Sequence, residues 1–460
     1  MTSPRLNPEH SPEKSPRASL QKLAGHRLVR RGSKVALIRL LGLIIVFGLQ
    51  ILLARLLGDS EEYGKYAWAQ SLMFMLGIVS AMGVPVITGR FIASLVARGR
   101  PDGVAIVVRR AYSLLLRSAL ALVAVALGLA WVNTRMADSH FYLTFAIPAL
   151  LFAPIACLAL FYQHINQARH WYVLAYLPVQ VLRPTATALF ALGMWWLMDG
   201  SLSGMQVLLI TGCSLALVCL PQGILFHWRQ RTRPVESTPE QDIGEYRPER
   251  LFRTALPVLL SRLAAMSTEY ANVLLVGLLA GPAAAGAYFA AERLAMLVAI
   301  PWTIISKVAL PEFAAAFSRD DPDSLRRQAR HAVKLSFAPT LLAAIPLCLF
   351  SGYLLSLFGE EFREAQPVLL LLVLGTVIQS AMGSGQGLLL MTGQQKRLPL
   401  VLWTTLAVHL SALALLLPSL GIVGAAIASV ISGVFCSTWQ AQLVRRGLKL
   451  NPTLFRRPGR

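Results

Sequence analysis

Apolar residues along this chain come in long runs separated by short polar breaks. About twenty apolar residues are needed to cross a bilayer as a helix, and runs of that length recur from one end to the other. They lie at 35–57, 66–88, 111–132, 141–163, 173–198 and 203–226 in the first half. In the second half they lie at 252–279, 286–310, 334–357, 365–391, 398–418 and 421–443. The pattern predicts an all-α polytopic membrane protein with about twelve transmembrane helices, six per half. Pro85, Pro148, Pro178 and Pro346 fall inside spans, where buried neighbours can satisfy the backbone groups they free.

The polar breaks carry the topology. Of 43 Lys and Arg residues, 33 fall in the N-terminal segment, in the loops after the even-numbered spans and at the C-terminus. The opposite face holds three, Lys65, Arg135 and Arg363, and its loops lean acidic in "DSEE" (59–62) and "GEEFRE" (359–364). By the positive-inside rule both termini of this multi-pass protein are expected to be cytoplasmic. The expected organisation is a disordered basic cytoplasmic tail at 1–33 and an N-lobe at 34–228. A cytoplasmic linker follows at 229–250, then a C-lobe at 251–443 and a basic cytoplasmic tail at 444–460.

Composition agrees: hydrophobic residues make up 55% of the chain and charged ones 14%, beyond the apolar share of soluble domains. A formal net charge of +21 would point to nucleic acid if the basic residues shared one soluble face. Here they are spread over every cytoplasmic loop, so no nucleic-acid partner is expected. The polar, Arg-rich N-terminal tail suits anionic lipid, and the run behind it is too long for a signal peptide. Cys157, Cys213, Cys219, Cys348 and Cys436 lie inside spans without metal-like spacing. His164 and His170 bracket "HINQARH" but lack a third ligand, so neither a metal nor a cofactor is expected. "DDPD" (320–323) precedes a basic helix and reads as its cap.

The chain writes one phrase twice. "LLGDSEEYGKY" (56–66) and "LLAGPAAAGAY" (278–288) end in Gly64-x-Tyr66 and Gly286-x-Tyr288, 222 residues apart. Phe91 of "FIASLVARGRPD" and Phe313 of "FAAAFSRDDPD" are again 222 apart, and "NQAR" (166–169) is echoed by "GQQKR" (393–397). These landmarks predict an internal duplication. An even number of spans per half inserts both halves in one orientation, which predicts two bundles related by a pseudo-two-fold axis along the membrane normal, around a central cavity.

The stretch "LARLLGDSEEYGKYAWAQSL", the following "GRFIASL" and the repeat "LLAGPAAAGAYFAAERL" resemble the polysaccharide transporter (Wzx-type) branch of the multidrug, oligosaccharidyl-lipid and polysaccharide flippase superfamily. The likeness covers nearly the whole chain. It implies a flippase, not an enzyme, that works by alternating access. The implied substrate is an undecaprenyl-diphosphate-linked oligosaccharide, moved to the outer leaflet for O-antigen, capsule or exopolysaccharide assembly. Membrane lipids, a polysaccharide polymerase and glycosyltransferases are the implied partners.

Leaving out Arg253 and Lys334, which stand at the very start of their spans and are counted with the loops, seven basic residues lie inside the spans: Arg39, Arg55, Arg117, Arg183, Arg262, Arg293 and Lys307. The acids there are Glu269 and Glu292. A charge at membrane depth costs at least about 2.5 kcal/mol near a span's centre and usually faces a wet cavity or a partner. The cationic excess therefore predicts an anionic ligand, and the guanidinium fork suits phosphate oxygens. Arg39, Lys307 and Arg55 lie near span ends, where snorkelling accounts for them; Arg117 can do the same and is otherwise expected among the substrate-binding residues. Arg183 and Arg262 lie deeper and are expected to hold the diphosphate. Arg262 and Glu269 are seven residues apart, two turns on one face and about 10 Å along the axis. Arg293 should sit at the depth of Glu269, as an ion pair or as a ligand group, and Glu269 or Glu292 could couple protons.

Two relatives of the same superfamily compete with this reading, a cation-coupled multidrug exporter and a lipid-linked peptidoglycan precursor flippase. The resemblance to exporters implies an acid in the first span, where 35–57 carries only Arg39 and Arg55. Precursor flippases usually have two further spans. A membrane glycosyltransferase would want a large outward loop or a carboxylate pair, and a scaffold would have no use for buried cations.

Overall fold

A computed structural model describes residues 16–98, 103–135, 141–231, 248–448 and 450–454. Among them there is no strand. The first half comprises α1 (Pro16–Leu57), α2 (Ser60–Ala81), α3 (Val84–Ala97), α4 (Gly103–Asn133), α5 (Phe141–Ala168), α6 (Tyr172–Leu177), α7 (Arg183–Leu197) and α8 (Gly204–Arg231). The second comprises α9 (Pro248–Ala280), α10 (Pro282–Val308), α11 (Leu310–Ser318), α12 (Pro322–Leu349), α13 (Ser351–Ser356), α14 (Gln366–Met382), α15 (Gly385–Met391) and α16 (Leu398–Leu448).

Among the described residues ten helices are long and apolar enough to cross a membrane, and α2 with α3, bent by 50°, makes an eleventh. The twelfth is hidden in α16. Gly421 adopts φ 57 and ψ −140 inside it, and residues on either side of that point touch. A Cβ on Gly424 would lie 2.1 Å from the Leu416 carbonyl oxygen, although eight residues of straight helix rise about 12 Å. His409 Nδ1 lies 3.0 Å from Ser432 Oγ, where a straight helix would hold them about 35 Å apart. The chain therefore turns back at Gly421 as two antiparallel spans.

The duplication holds element by element. α2 begins at Ser60 and α10 at Pro282, 222 residues on, and α4 and α12 begin at Gly103 and Pro322. The two ends of the bundle are named here by their charge: the acidic end carries residues 59–62 and 359–364, the basic end the Arg-rich turns. At the acidic end the polar residues are used locally. Asp59 accepts the Glu61 N–H at 3.0 Å to cap α2, Lys65 pairs with Glu61 and Glu62, and Glu62 also accepts the Gly204 N–H at 2.6 Å at the start of α8. At the basic end Asp321 accepts the Ser324 N–H at 2.8 Å, the capping role read for "DDPD".

The doubled phrase is where the halves meet. A Cβ on Gly64 would strike the Pro282 carbonyl at 1.8 Å, and one on Gly286 would strike the Ser60 carbonyl at 2.6 Å. Ser60 and Pro282 are themselves related by the 222-residue offset, so the contact is self-complementary and the pseudo-two-fold axis runs between the two glycines. Small residues four apart let the α2 and α10 backbones approach this closely, as in membrane helix pairs generally. Beside them Tyr63, Tyr66, Tyr288 and Phe289 are fully buried in one core shared by both halves.

Some elements depart from the expected boundaries. The second span starts six residues early, because Asp59 caps it, and breaks at Met82–Gly83, both at positive φ. α1 begins at Pro16, inside the stretch expected to be a disordered tail, while residues 1–15 lie outside the described residues. Of the expected linker at 229–250, residues 232–247 lie outside them too. At the C-terminus, α16 ends at Leu448 and the Leu454 N–H donates to the Ala381 carbonyl at 2.9 Å, so 450–454 return to the break between α14 and α15.

Candidate functional site

Arg183 is aimed by an irregular turn. Between α6 and α7 the chain makes one turn of π-helix, Pro178–Leu182, and the Arg183 N–H bonds to the Pro178 carbonyl five residues back. Pro178 has no N–H to give the Leu174 carbonyl, and that oxygen is satisfied instead by Gln222 Nε2 of α8 at 2.7 Å. Arg183 lies about 16 Å into the span, eleven residues after Tyr172 at 1.5 Å each. Single π turns of this kind concentrate at functional positions.

Arg293 lies eleven residues after Pro282 on α10, counted from the acidic end whereas Arg183 is counted from the basic end, so both stand near the middle of their spans. Its guanidinium stacks over Phe289 with the ring centroid at 4.2 Å and donates to Met296 Sδ at 3.3 Å. Arg183 lies over Phe74 at 5.3 Å. The Nε of each arginine is buried without a hydrogen-bond partner. The two guanidinium groups lie within electrostatic range of each other and of Tyr66 and Tyr270. Tyr66 is held in place by Gln70 and by Thr211 Oγ1.

Glu269 and Glu292 are close enough to Arg293 to interact with it. Yet among the described residues no ion pair within 4.0 Å joins them. The pairs present there, such as those of Lys65, Arg326 and Arg363, lie toward the ends of the bundle. Each carboxylate instead lines a cavity of about 550 Å³ inside the second half, together with Asn272, Tyr288 and Ser429. Glu292 and Arg293 are neighbours on α10, about 100° apart around it, which turns the acid toward the half's interior and the base toward the boundary. Two cations from opposite halves, one orphaned N–H on each and no bridging carboxylate, can take up a multiply charged anion by bidentate contacts.

The structure brings together Arg183 and Arg293 of the residues singled out from sequence. Arg117 stands elsewhere, exposed on α4 beside exposed Leu116 and Leu120. Arg262 is on α9, and its side chain lies outside the described residues. Arg39 donates to the Tyr176 hydroxyl at 2.8 Å and stacks on its ring. Arg55, read from sequence as a snorkelling group, crosses between the halves. Its Nε donates to the Leu357 carbonyl at 2.7 Å and another guanidinium nitrogen donates to the Ser356 carbonyl. Tyr63 packs there against Phe289, Phe358 and Phe362, with ring centroids 5.6–6.3 Å apart. Arginine and aromatic cluster together close the acidic end. Sequence reasoning missed Tyr66, although it quoted that residue as a landmark, and missed the π turn that Pro178 and Pro184 bracket.

Solved structures similar to this chain share its fold. An inward-facing multidrug resistance MATE family transporter of the MOP superfamily matches at 16% identity over 90% of this chain and 98% of its own, with a TM-score of 0.72. An outward-facing structure described in the same words matches at 17% identity over the same shares with a TM-score of 0.58. The lipid II flippase MurJ in an inward closed conformation matches at 13% identity over 89% of this chain and 87% of its own, at 0.61. No curated protein matches the sequence. The MatE family matches residues 257–416. The polysaccharide biosynthesis protein family matches residues 28–317, well over half the chain, and with the fold it establishes that the chain belongs to that family, within the superfamily of transporters and flippases its doubled phrase resembles.

Proposed function

We propose that the chain is a flippase that carries an undecaprenyl-diphosphate-linked oligosaccharide from the cytoplasmic to the outer leaflet of the bacterial inner membrane, for surface polysaccharide assembly. The observation that carries this reading is the pair Arg183 and Arg293, one from each half, which lie within electrostatic range of each other near mid-depth, each with a buried unpartnered Nε and no ion pair to a carboxylate. A diphosphate supplies the missing counter-charge. Arg262, on α9, keeps its sequence-based assignment to the phosphate, and exposed Arg117 meets lipid headgroups. The basic end is cytoplasmic, by the distribution of Lys and Arg.

Transport then proceeds by alternating access. With the acidic end sealed by Arg55 and the Tyr63 cluster, the substrate site opens to the cytoplasm. The higher TM-score to the inward-facing relative supports this state. The glycan occupies the hydrated space, the lipid tail stays in the bilayer between the lobes, and rocking about the Gly64–Gly286 contact exposes the site on the other side. Glu269 and Glu292 are the groups assigned to a coupling ion, the one feature that also suits a cation-coupled exporter.

The test is deletion of the gene followed by mass spectrometry of lipid-linked glycans, with complementation by Arg183→Ala and Arg293→Ala. One accumulating undecaprenyl-diphosphate glycan, loss of its surface polymer and failed complementation at normal protein level are expected. Normal export by both variants would remove the phosphate assignment. Unchanged lipid-linked glycans with new drug sensitivity would move the protein to the exporters.

A further inference from the structure

The cavity beside Glu292 does not end there. A second one of about 470 Å³ lies between α10, the α14–α15 break and the second limb of α16, and the two share Trp302, Gln379 and Cys436. The two adjoin at these residues, and together they make up a trench that runs inside the second half from the carboxylates to Lys307 and Gln440 toward the basic end. Each cavity alone is within the size range of small-molecule sites.

Its chemistry differs from that of the arginine pair. Apart from Lys307 at the mouth, its charged groups are the two acids, so it repels the phosphates that Arg183 and Arg293 attract. Its other polar groups are amides and hydroxyls, with Gln379, Ser384, Ser429 and Ser437 among them. Two of its polar atoms are buried with nothing to bond. Trp302 Nε1 has no acceptor, and Asn272 Oδ1 has no donor, although Asn272 Nδ2 donates to Ser429 at 2.8 Å. Buried polar groups are rarely left so unless a ligand or water completes them. The wall also includes the Gly383–Ser384 break, non-helical backbone of the kind that membrane proteins tolerate where it lines a wet cavity. A flat indole, amides, hydroxyls and carboxylates are the complement of a sugar, with its apolar ring face and many hydroxyls.

We propose that this trench is the subsite for the sugar headgroup, which enters the second half while the diphosphate stays between the halves. The inference rests on the flippase reading and deepens it. Glu292 and Arg293 are adjacent on one helix, so a headgroup joined to a diphosphate would span trench and arginine pair at one depth. Trp302 supplies a ring platform and its unpaired N–H, Gln379 sits where the two cavities join, and short oligosaccharides fit better than long ones.

Binding to the full chain in lipid nanodiscs separates the possibilities. The probes are undecaprenyl diphosphate and the lipid-linked glycans extracted from the host cells. The glycan-bearing lipid should bind at least about tenfold tighter than the bare one, since 1.4 kcal/mol is one decade. Trp302→Phe, Trp302→Leu and Gln379→Leu should erode that gain and leave bare undecaprenyl diphosphate unaffected, while Arg183→Ala weakens both. As a readout that does not depend on affinity, a variant keeping Cys436 as its single cysteine should react more slowly with N-ethylmaleimide when the glycan-bearing lipid is present than with the bare lipid. If the trench variants keep the full gain, or Cys436 is protected by sodium or a pH change but not by glycan, the sugar subsite is overturned and the flippase reading survives. If neither lipid binds the unmodified protein, both fall.

Discussion

At the scale of single residues, the decisive feature is which cations have protein partners. Arg55 has them: two carbonyls at the end of α13 in the opposite half. A hydrogen bond from a charged group contributes about 1.5–3 kcal/mol, so Arg55→Ala should shift the balance between closed and open acidic ends by at least about tenfold toward open. Spin labels at exposed Glu61 and Glu360 would show it as a longer distance population, and an unchanged distribution would mean that the aromatic cluster alone holds the seal. Arg183 and Arg293 have aromatic rings beneath them and an unpaired N–H each. Arg183→Lys keeps the charge and loses the fork, so transport should fall about tenfold or more at normal protein level, less than for Arg183→Ala. Equal activity of the Lys variant would reduce the site to a point charge. The sequence showed that these arginines were deep and in excess over acid. It did not show that Arg293 avoids a bridge to Glu269, because depth along a helix leaves open how side chains of two helices turn toward one another.

At the scale of elements, the repeat is a packing device. Gly64 and Gly286 place α2 against α10 so closely that each added methyl would meet backbone. Overpacking of this kind costs about 1–3 kcal/mol, so Gly64→Ala and Gly286→Ala should each lower the melting temperature of the purified protein, whereas Gly48→Ala, with nothing within 4 Å, should not. Gly421 is a second requirement, since its φ of 57 and ψ of −140 lie outside the comfortable range of side-chain-bearing residues. Gly421→Ala should cost about 1–3 kcal/mol and reduce the yield of folded protein in the membrane, measured by fluorescence-detected size exclusion. The break at 421 was readable from the sequence as the interval between the runs 398–418 and 421–443, where "PSLG" (418–421) gathers a proline, a serine and a glycine. The breaks at Gly83 and Gly383 were not, because apolar residues continue on both sides and only helix geometry reveals the bend.

At the scale of the whole molecule, two bundles meet across the pseudo-two-fold axis, sealed at the acidic end. Moving a diphosphate outward across an inside-negative membrane is favoured by about 2.3 kcal/mol per charge per 100 mV, unless a co-moving cation cancels it. Flipping in proteoliposomes should therefore slow when the potential is collapsed with valinomycin and potassium, and equal rates would exclude a net electrogenic step. The sequence by itself determined the class, the span count, the duplication and the depth of every buried charge. Those properties follow from local composition, since twenty apolar residues must cross and Lys and Arg stay where they are synthesised. Only the tertiary structure decided that the doubled phrase is the contact between halves, that Arg55 bridges them, that Arg183 comes within electrostatic range of Arg293, and that the acids line a cavity. Each of these joins residues that are far apart in the chain or turned toward different neighbours. Their meeting depends on how helices rotate and halves dock, which hydrophobic patterning along one chain does not encode.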